Sequence, residues 1–340
     1  MTRVVTRARA FAVARRVLPP AVIRLAAGRA EPSFRELLAI AEESGDLPDP
    51  APEAQPATLL RMFPELASVE VREVGIHGPH GPVAARAYLP EGPPAAALVW
   101  VHGGGFIGGS LDGAESNWVG LALARRGIAV LALDYRKAVG GVRYPVPLDD
   151  VEAGWRWAAA NAADALRVSP AALHLGGASA GGCLAAGLAK KLRDAPSAPR
   201  PRTLVLAYPM LHADPAAAYP AEEVARLRKK SPYPLFRPGD TRELAVNYAG
   251  RASVLTDPYA FPANGPLGGQ PPMFILTAEF DMTRLSGQAY AAAVAEAGGA
   301  VTLVMEPGAP HGALARPSGE FGPRSLERIA RWLLRKDQGG

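Results

Sequence analysis

Residues 173–176 form a short apolar run, and a helix-like stretch opens at Ala180, with only Gly177-Ala178-Ser179 between them. Such a chain must pass from strand to helix within a few residues. Gly177-Ala178-Ser179-Ala180-Gly181 fits G-x-S-x-G, a serine raised on a sharp turn at the end of a sheet strand. Glycine suits both flanking positions, because bulk there would obstruct a tight elbow and its packing on neighbouring elements. About 75 residues earlier, His102-Gly103-Gly104-Gly105-Phe106 follows the apolar run 96–101. That cluster fits an H-G-G-G loop, whose backbone N–H groups can receive a developing negative oxygen.

The rest of the chain fits the sheet that these two clusters require. Val69, Val71 and Val74 are interleaved with charged residues, which predicts an exposed antiparallel edge strand, paired across a turn at 78–82 with a strand over 83–89. Apolar runs at 96–101, 128–133, 173–176, 203–207, 273–277 and 301–305 show little alternation, as expected for parallel strands buried on both faces. Helix-like stretches at 115–126, 148–163, 180–193, 285–297 and 324–335 alternate with them. The pattern predicts a doubly wound α/β fold. Residues 209–270 interrupt it with a proline-rich segment around a charged helix at 221–230. Phe34, Leu37, Leu38 and Ile40 give a helical face before Gly45, and 46–57 reads as a linker.

Composition narrows the functional classes. The chain has 340 residues, 49% of them hydrophobic, enough for one large α/β domain with additions. No apolar run approaches the roughly 18 residues that span a bilayer. The net charge of +5 has a local source: seven basic residues and no acid precede Glu31. An amphipathic helix accounts for that segment better than an export signal at Arg15-Arg16, so a cytoplasmic protein without stable membrane insertion is expected. Val22–Ala27 and 232–236 read as packed on the body rather than on a lipid surface. The single cysteine, Cys183, excludes an internal disulfide and a cysteine-built metal cluster, and reads as a packing residue on its helix. Trp100, Trp155 and Trp157 read as core. Nothing supports nucleic-acid binding.

A serine hydroxyl needs a base to take its proton. In this fold the order is serine, acid, histidine. Of six histidines only His212 and His311 follow Ser179, and His311 lies in a loop between the last strand and the last helix. Asp281, just past the run 273–277, is the expected acid; Glu279 is the close competitor, and Asp257 lies further from a strand end. An N-cap for the following helix is the structural alternative for Asp281. The N–H groups of Gly104, Gly105 and Ala180 are the expected oxyanion donors, with His102 bracing the loop. A dinucleotide fingerprint at 103–108 with Asp134 as ribose ligand is the rival, but no helix follows it directly. Neither a Walker A nor an H-E-x-x-H pattern occurs.

With His102–Phe106, Asp134-Tyr135-Arg136, Tyr144-Pro145 with Asp149-Asp150, Ser179–Gly182, Asp281 and Pro310-His311-Gly312, the chain resembles the hormone-sensitive-lipase-like, bacterial family IV α/β-hydrolase esterases. The resemblance implies a mostly parallel sheet of about eight strands flanked by helices. It implies a helical cap from residues 1–50 and 209–250, around catalytic segments 51–208 and 251–340. It implies a serine carboxylesterase acting on short- to medium-chain acyl esters, with a small-molecule partner and neither metal nor organic cofactor; a homodimer stays open. A metabolite-specific deacylase or lyase, or a non-catalytic binding homologue, are the alternatives. Three departures stand out: Ala178 replaces a frequent aspartate, Met282-Thr283-Arg284 keeps only part of the usual acid loop, and Ala313 replaces a frequent phenylalanine.

Overall fold

The computed structural model describes residues 34–44, 56–195, 197–215, 217, 219–230 and 239–335. Eight strands form one sheet: β1 (Glu70–Gly78), β2 (Gly81–Leu89), β3 (Ala96–Val101), β4 (Ile128–Asp134), β5 (Leu173–Ala178), β6 (Leu204–Ala207), β7 (Met273–Phe280) and β8 (Val301–Pro310), in the order β1-β2-β4-β3-β5-β6-β7-β8. β1 and β2 form an antiparallel hairpin, and β2 runs antiparallel to β4; the remaining pairs are parallel. The expected mostly parallel α/β sheet with an antiparallel edge is therefore present.

Alternation along each buried strand feeds two cores. On β3, Ala97, Val99 and Val101 join the cluster beneath α4 (Val146–Ala160), α6 (Ala180–Asp194) and α9 (Arg284–Glu296). Leu98 and Trp100 join the opposite cluster beneath α3 (Asn117–Ala124) and α10 (Phe321–Leu333). Each such leucine, valine or tryptophan withdrawn from water contributes on the order of 1.5–3 kcal/mol. Trp100 and Trp155 are fully buried, whereas Trp157 is only partly covered. Cys183 is buried on α6.

Several elements differ from the sequence reading. The segment read as linker ends in α2 (Pro56–Met62), a helix that starts on a proline; between α4 and β5 the chain adds α5 (Ala162–Leu166). α1 (Phe34–Ser44) and α7 (Ala221–Lys230) lie where expected, but the insertion holds a second helix, α8 (Asp240–Ala249), that the pattern did not show. The last strand is not buried on both faces: Leu303 and Met305 are exposed because β8 is the sheet edge. Among the described residues no helix is long and apolar enough to cross a membrane. Arg15-Arg16, Val22–Ala27 and 232–236 lie outside the described residues.

Candidate active site

The strand order reverses around β3 and β5, and in open α/β sheets ligands sit beyond the carboxyl ends of strands at such a switch. β3 ends in the triglycine loop and β5 ends in the elbow. Ser179 caps α6 with φ of 52°, a left-handed backbone that a serine adopts only under constraint. The constraint is visible: its N–H donates to Ala207 O at 2.9 Å, and its carbonyl accepts from Cys183 N at 3.1 Å. Gly181 has no room for a side chain, because a Cβ would overlap the carbonyl oxygens of Val101 and His102. This close approach draws the helix N-terminus up against the end of β3.

His311 lies past β8 in the loop before α10, and its Nε2 is 2.9 Å from Ser179 Oγ. Its Nδ1 is 2.9 Å from Asp281 Oδ1. An ionised carboxylate only accepts, so Nδ1 carries the proton and Nε2 is left to accept from the serine hydroxyl. Burial alone would lower the imidazole pKa; the Asp281 charge and hydrogen bond, helped by Glu115, outweigh it and hold His311 above its ordinary value.

Asp281 is 1% exposed, so its carboxylate depends on local donors. Thr283 supplies two: its N–H donates to Oδ1 and its hydroxyl lies 2.8 Å from Oδ2. Asp281 thus holds the turn before α9 while also facing His311, but it is not the helix N-cap: that position is Thr283, and no side chain caps it. Glu279 is placed elsewhere, accepting from Gly308 N–H and Arg226. Asp257 accepts from the Tyr144 hydroxyl and from the Tyr259 and Ala260 amides. His212 pairs with Ser286, not with Ser179.

The triglycine loop is fixed from behind. Gly104 has φ of 104°, and a Cβ there would overlap Gly108 O. His102 Nδ1 donates to Gly103 O at 2.7 Å, and its ring stacks on Tyr135 at 4.7 Å. The Tyr135 hydroxyl donates to Gly103 O at 3.1 Å, and Arg136 pairs with buried Asp150. Tyr135, with Asp134 beside His102, therefore braces the loop, while Arg136 ties the end of β4 to α4. Asp134 faces Lys137 and His102, and the triglycine run enters a turn rather than a helix, so the geometry is not that of a dinucleotide site. The Gly103 N–H is committed to Glu115 Oε2 at 2.9 Å, whereas those of Gly104 and Gly105 take no partner among the described residues. Glu115 and Tyr208, which meet at 2.6 Å, were not singled out from the sequence; neither lies in a glycine-framed motif. No group of three or more His, Cys, Asp or Glu residues suited to a metal occurs among the described residues.

With two glycine-framed loops converging on a Ser–His–Asp chain at the carboxyl edge of an eight-stranded sheet, the class of protein is set. Residues 98–315 match the α/β-hydrolase fold family, and the chain belongs to it. It is 34% identical over 226 residues to an ethyl acetate hydrolase of Pseudomonas putida, covering 65% of this chain and 68% of the relative. It is 33% identical over 259 residues to carboxylesterase NlhH of Mycobacterium tuberculosis, covering 74% of this chain and 76% of the relative. The esterase LipW structure from Mycobacterium marinum superimposes with a TM-score of 0.73 at 28% identity, covering 93% of this chain and 95% of that one. The family resemblance drawn from the motifs is borne out.

Proposed function

We propose that this chain is a serine carboxylesterase that works through an acyl-enzyme on Ser179. The observation that supports this reading most directly is the unbroken relay of Ser179 Oγ, His311 and Asp281, both links at 2.9 Å. Ser179 Oγ attacks the ester carbonyl while His311 Nε2 takes its proton. Asp281 keeps the imidazole in the required tautomer and stabilises the imidazolium. The N–H groups of Gly104, Gly105 and Ala180 receive the carbonyl oxygen as it becomes negative. His311 then returns the proton to the leaving alcohol, and water releases the acid by the same steps in reverse.

The insertion and the N-terminal helix supply the substrate walls in this reading. Helices α1 and α8 pack together, and Arg35 faces Glu243 across them. The Leu244 side chain of α8 lies against Gly105 in the oxyanion loop, and Tyr248 stacks on Phe106 at 4.0 Å. A wall this close to the oxyanion loop favours short to medium acyl groups. The names of the two relatives, an ethyl acetate hydrolase and a carboxylesterase, agree with that class.

The test is a hydrolysis profile over p-nitrophenyl esters from acetyl to lauroyl, beside stoichiometric trapping with an organophosphonate. Turnover with a short-chain maximum and labelling at Ser179 are expected. Failure of both to occur would overturn the reading.

A further inference from the structure

We propose that Glu115 is a positioning residue that clamps the oxyanion loop and the catalytic-histidine loop to one another through Tyr208. Its rate arm rests on the esterase reading above; its structural arm does not.

Glu115 lies in the loop between β3 and α3. Its backbone carbonyl accepts from Trp100 Nε1 at 2.6 Å, which ties it to a fully buried side chain of the sheet. Its carboxylate does not cap α3: the Ser116 and Asn117 amides turn back to Gly113 O. Instead Oε2 accepts the Gly103 N–H at 2.9 Å and Oε1 accepts the Tyr208 hydroxyl at 2.6 Å. A Cβ on Gly103 would meet Oε2 at 2.5 Å and the Ser179 Cβ at 3.1 Å, so this glycine is wedged between the clamp and the nucleophile.

Tyr208 is buried and has φ of 38°, a strained backbone for a tyrosine. From that position it reaches both the histidine loop and the Asp281 turn. Its ring stands edge-on to His311 with centroids 5.0 Å apart. Its hydroxyl oxygen accepts from Leu314 N, three residues past the histidine, at 3.2 Å. Its carbonyl is 3.1 Å from the Thr283 hydroxyl, the same group that touches Asp281. One side chain at 115 therefore fixes where the oxyanion amides stand relative to the imidazole.

Only an ionised carboxylate offers two acceptors and no donor to this fork; glutamine would turn an NH₂ toward one of two donors. The charge has a second effect. The imidazole of His311 is faced by Asp281 from the β7–α9 turn, by Glu115 from the β3–α3 loop, by Tyr208 past β6 and by Ser179 from the elbow. Glu115 adds to Asp281 in favouring the protonated ring, against burial.

The experiment compares wild type, E115Q, E115D and Y208F by two readouts: NMR titration of the His311 ring, which needs no turnover, and separate kcat and KM on p-nitrophenyl acetate. For E115Q, kcat should fall about 10- to 100-fold, as for a misplacement near 1 Å, with KM within about threefold. The His311 titration in E115Q should move to lower pH. E115D keeps the charge but is too short to span both donors, so it should keep the titration near wild type and lose kcat. Y208F keeps the carboxylate and breaks the link, and should lower kcat with little change in titration. If E115Q has wild-type kcat and His311 titrates as in wild type, the clamp does not exist. If E115Q does not fold, unchanged kcat in Y208F overturns the proposal equally. Should wild type hydrolyse no ester, the esterase reading falls, while the Gly103 and Leu314 amide resonances in the same NMR spectra still decide this one: both should shift in E115Q and in Y208F, and resonances unmoved in both variants would overturn the clamp.

Discussion

The elbow and the insertion meet at the same candidate site but are held there by different physics. On the elbow side, Ser179 and the triglycine loop are fixed by backbone hydrogen bonds and by glycines whose missing side chains let strands and helix touch. On the insertion side, α7 is held by side-chain charges beside a small apolar cluster of Leu227 with Tyr219 and Met282. Glu223 pairs with Arg284 at 2.5 Å, Arg226 with Glu279 at 3.2 Å, and the Tyr219 hydroxyl donates to Asp281 O. Steric contacts between backbones have no dependence on salt or pH, whereas exposed ion pairs have both. The elbow is thus built on a rigid base, and α7 beside it on a partly adjustable one.

The largest expected effect comes from the elbow. Ser179→Ala should lower turnover on the order of a million-fold and abolish organophosphonate labelling, if the site behaves as other serine triads do. Next is Asp281→Asn, with a loss on the order of 10⁴ in kcat. It carries a sign as well. Asp281 raises the His311 pKa, and the base must be neutral to act, so the acid limb of kcat/KM should move to lower pH in the variant even as the rate falls. A limb that stays put would mean that Asp281 does not govern the histidine.

Gly181→Ala tests the steric base itself. The added methyl collides with two carbonyls, and a loss of about 1–3 kcal/mol in denaturant unfolding is expected. A neutral result would show that the helix can back away from β3.

The smallest effect should be at the insertion. Glu223→Gln should leave kcat unchanged and make α7 more open to limited proteolysis, with the difference from wild type shrinking as salt is raised. Arg226 and Arg284 hold the Glu223 carboxyl down to about 2, well below its ordinary value. Its contribution is therefore fully present above about pH 4.5 and is lost as pH falls through about 2. Protection of α7 that is insensitive to both salt and acid would erase the contrast between the two regions.

What was legible in the sequence follows the same division. Ser179, His311 and the glycine loops could be read because a tight turn imposes its demand on adjacent residues. Asp281 could be proposed because it lies just past an apolar run whose end is marked; that β7 runs on to Phe280, with Glu279 inside it, was not visible in the composition. Glu115 and Tyr208 left no such mark; their partners are 12 and 93 residues away along the chain, and only the folded sheet brings them together. Helix α8 escaped notice because its buried face, Thr241, Leu244, Ala245, Tyr248 and Ala249, holds only one large aliphatic side chain, after a proline-rich stretch. The exposure of β8 depends on being last in the sheet order, a property of topology rather than of local composition.

The contact between Leu244 and Gly105 has a practical consequence for anyone reshaping this protein. A Leu244 methyl occupies the space that a side chain at 105 would need, so under the proposed function the atoms that wall the substrate also lie against the amide-bearing turn. Trimming Leu244 to admit bulkier compounds would free that turn as it widens the cavity. Scope and speed are tied together at this one position, and gains in the first should be sought from positions that do not touch Gly105.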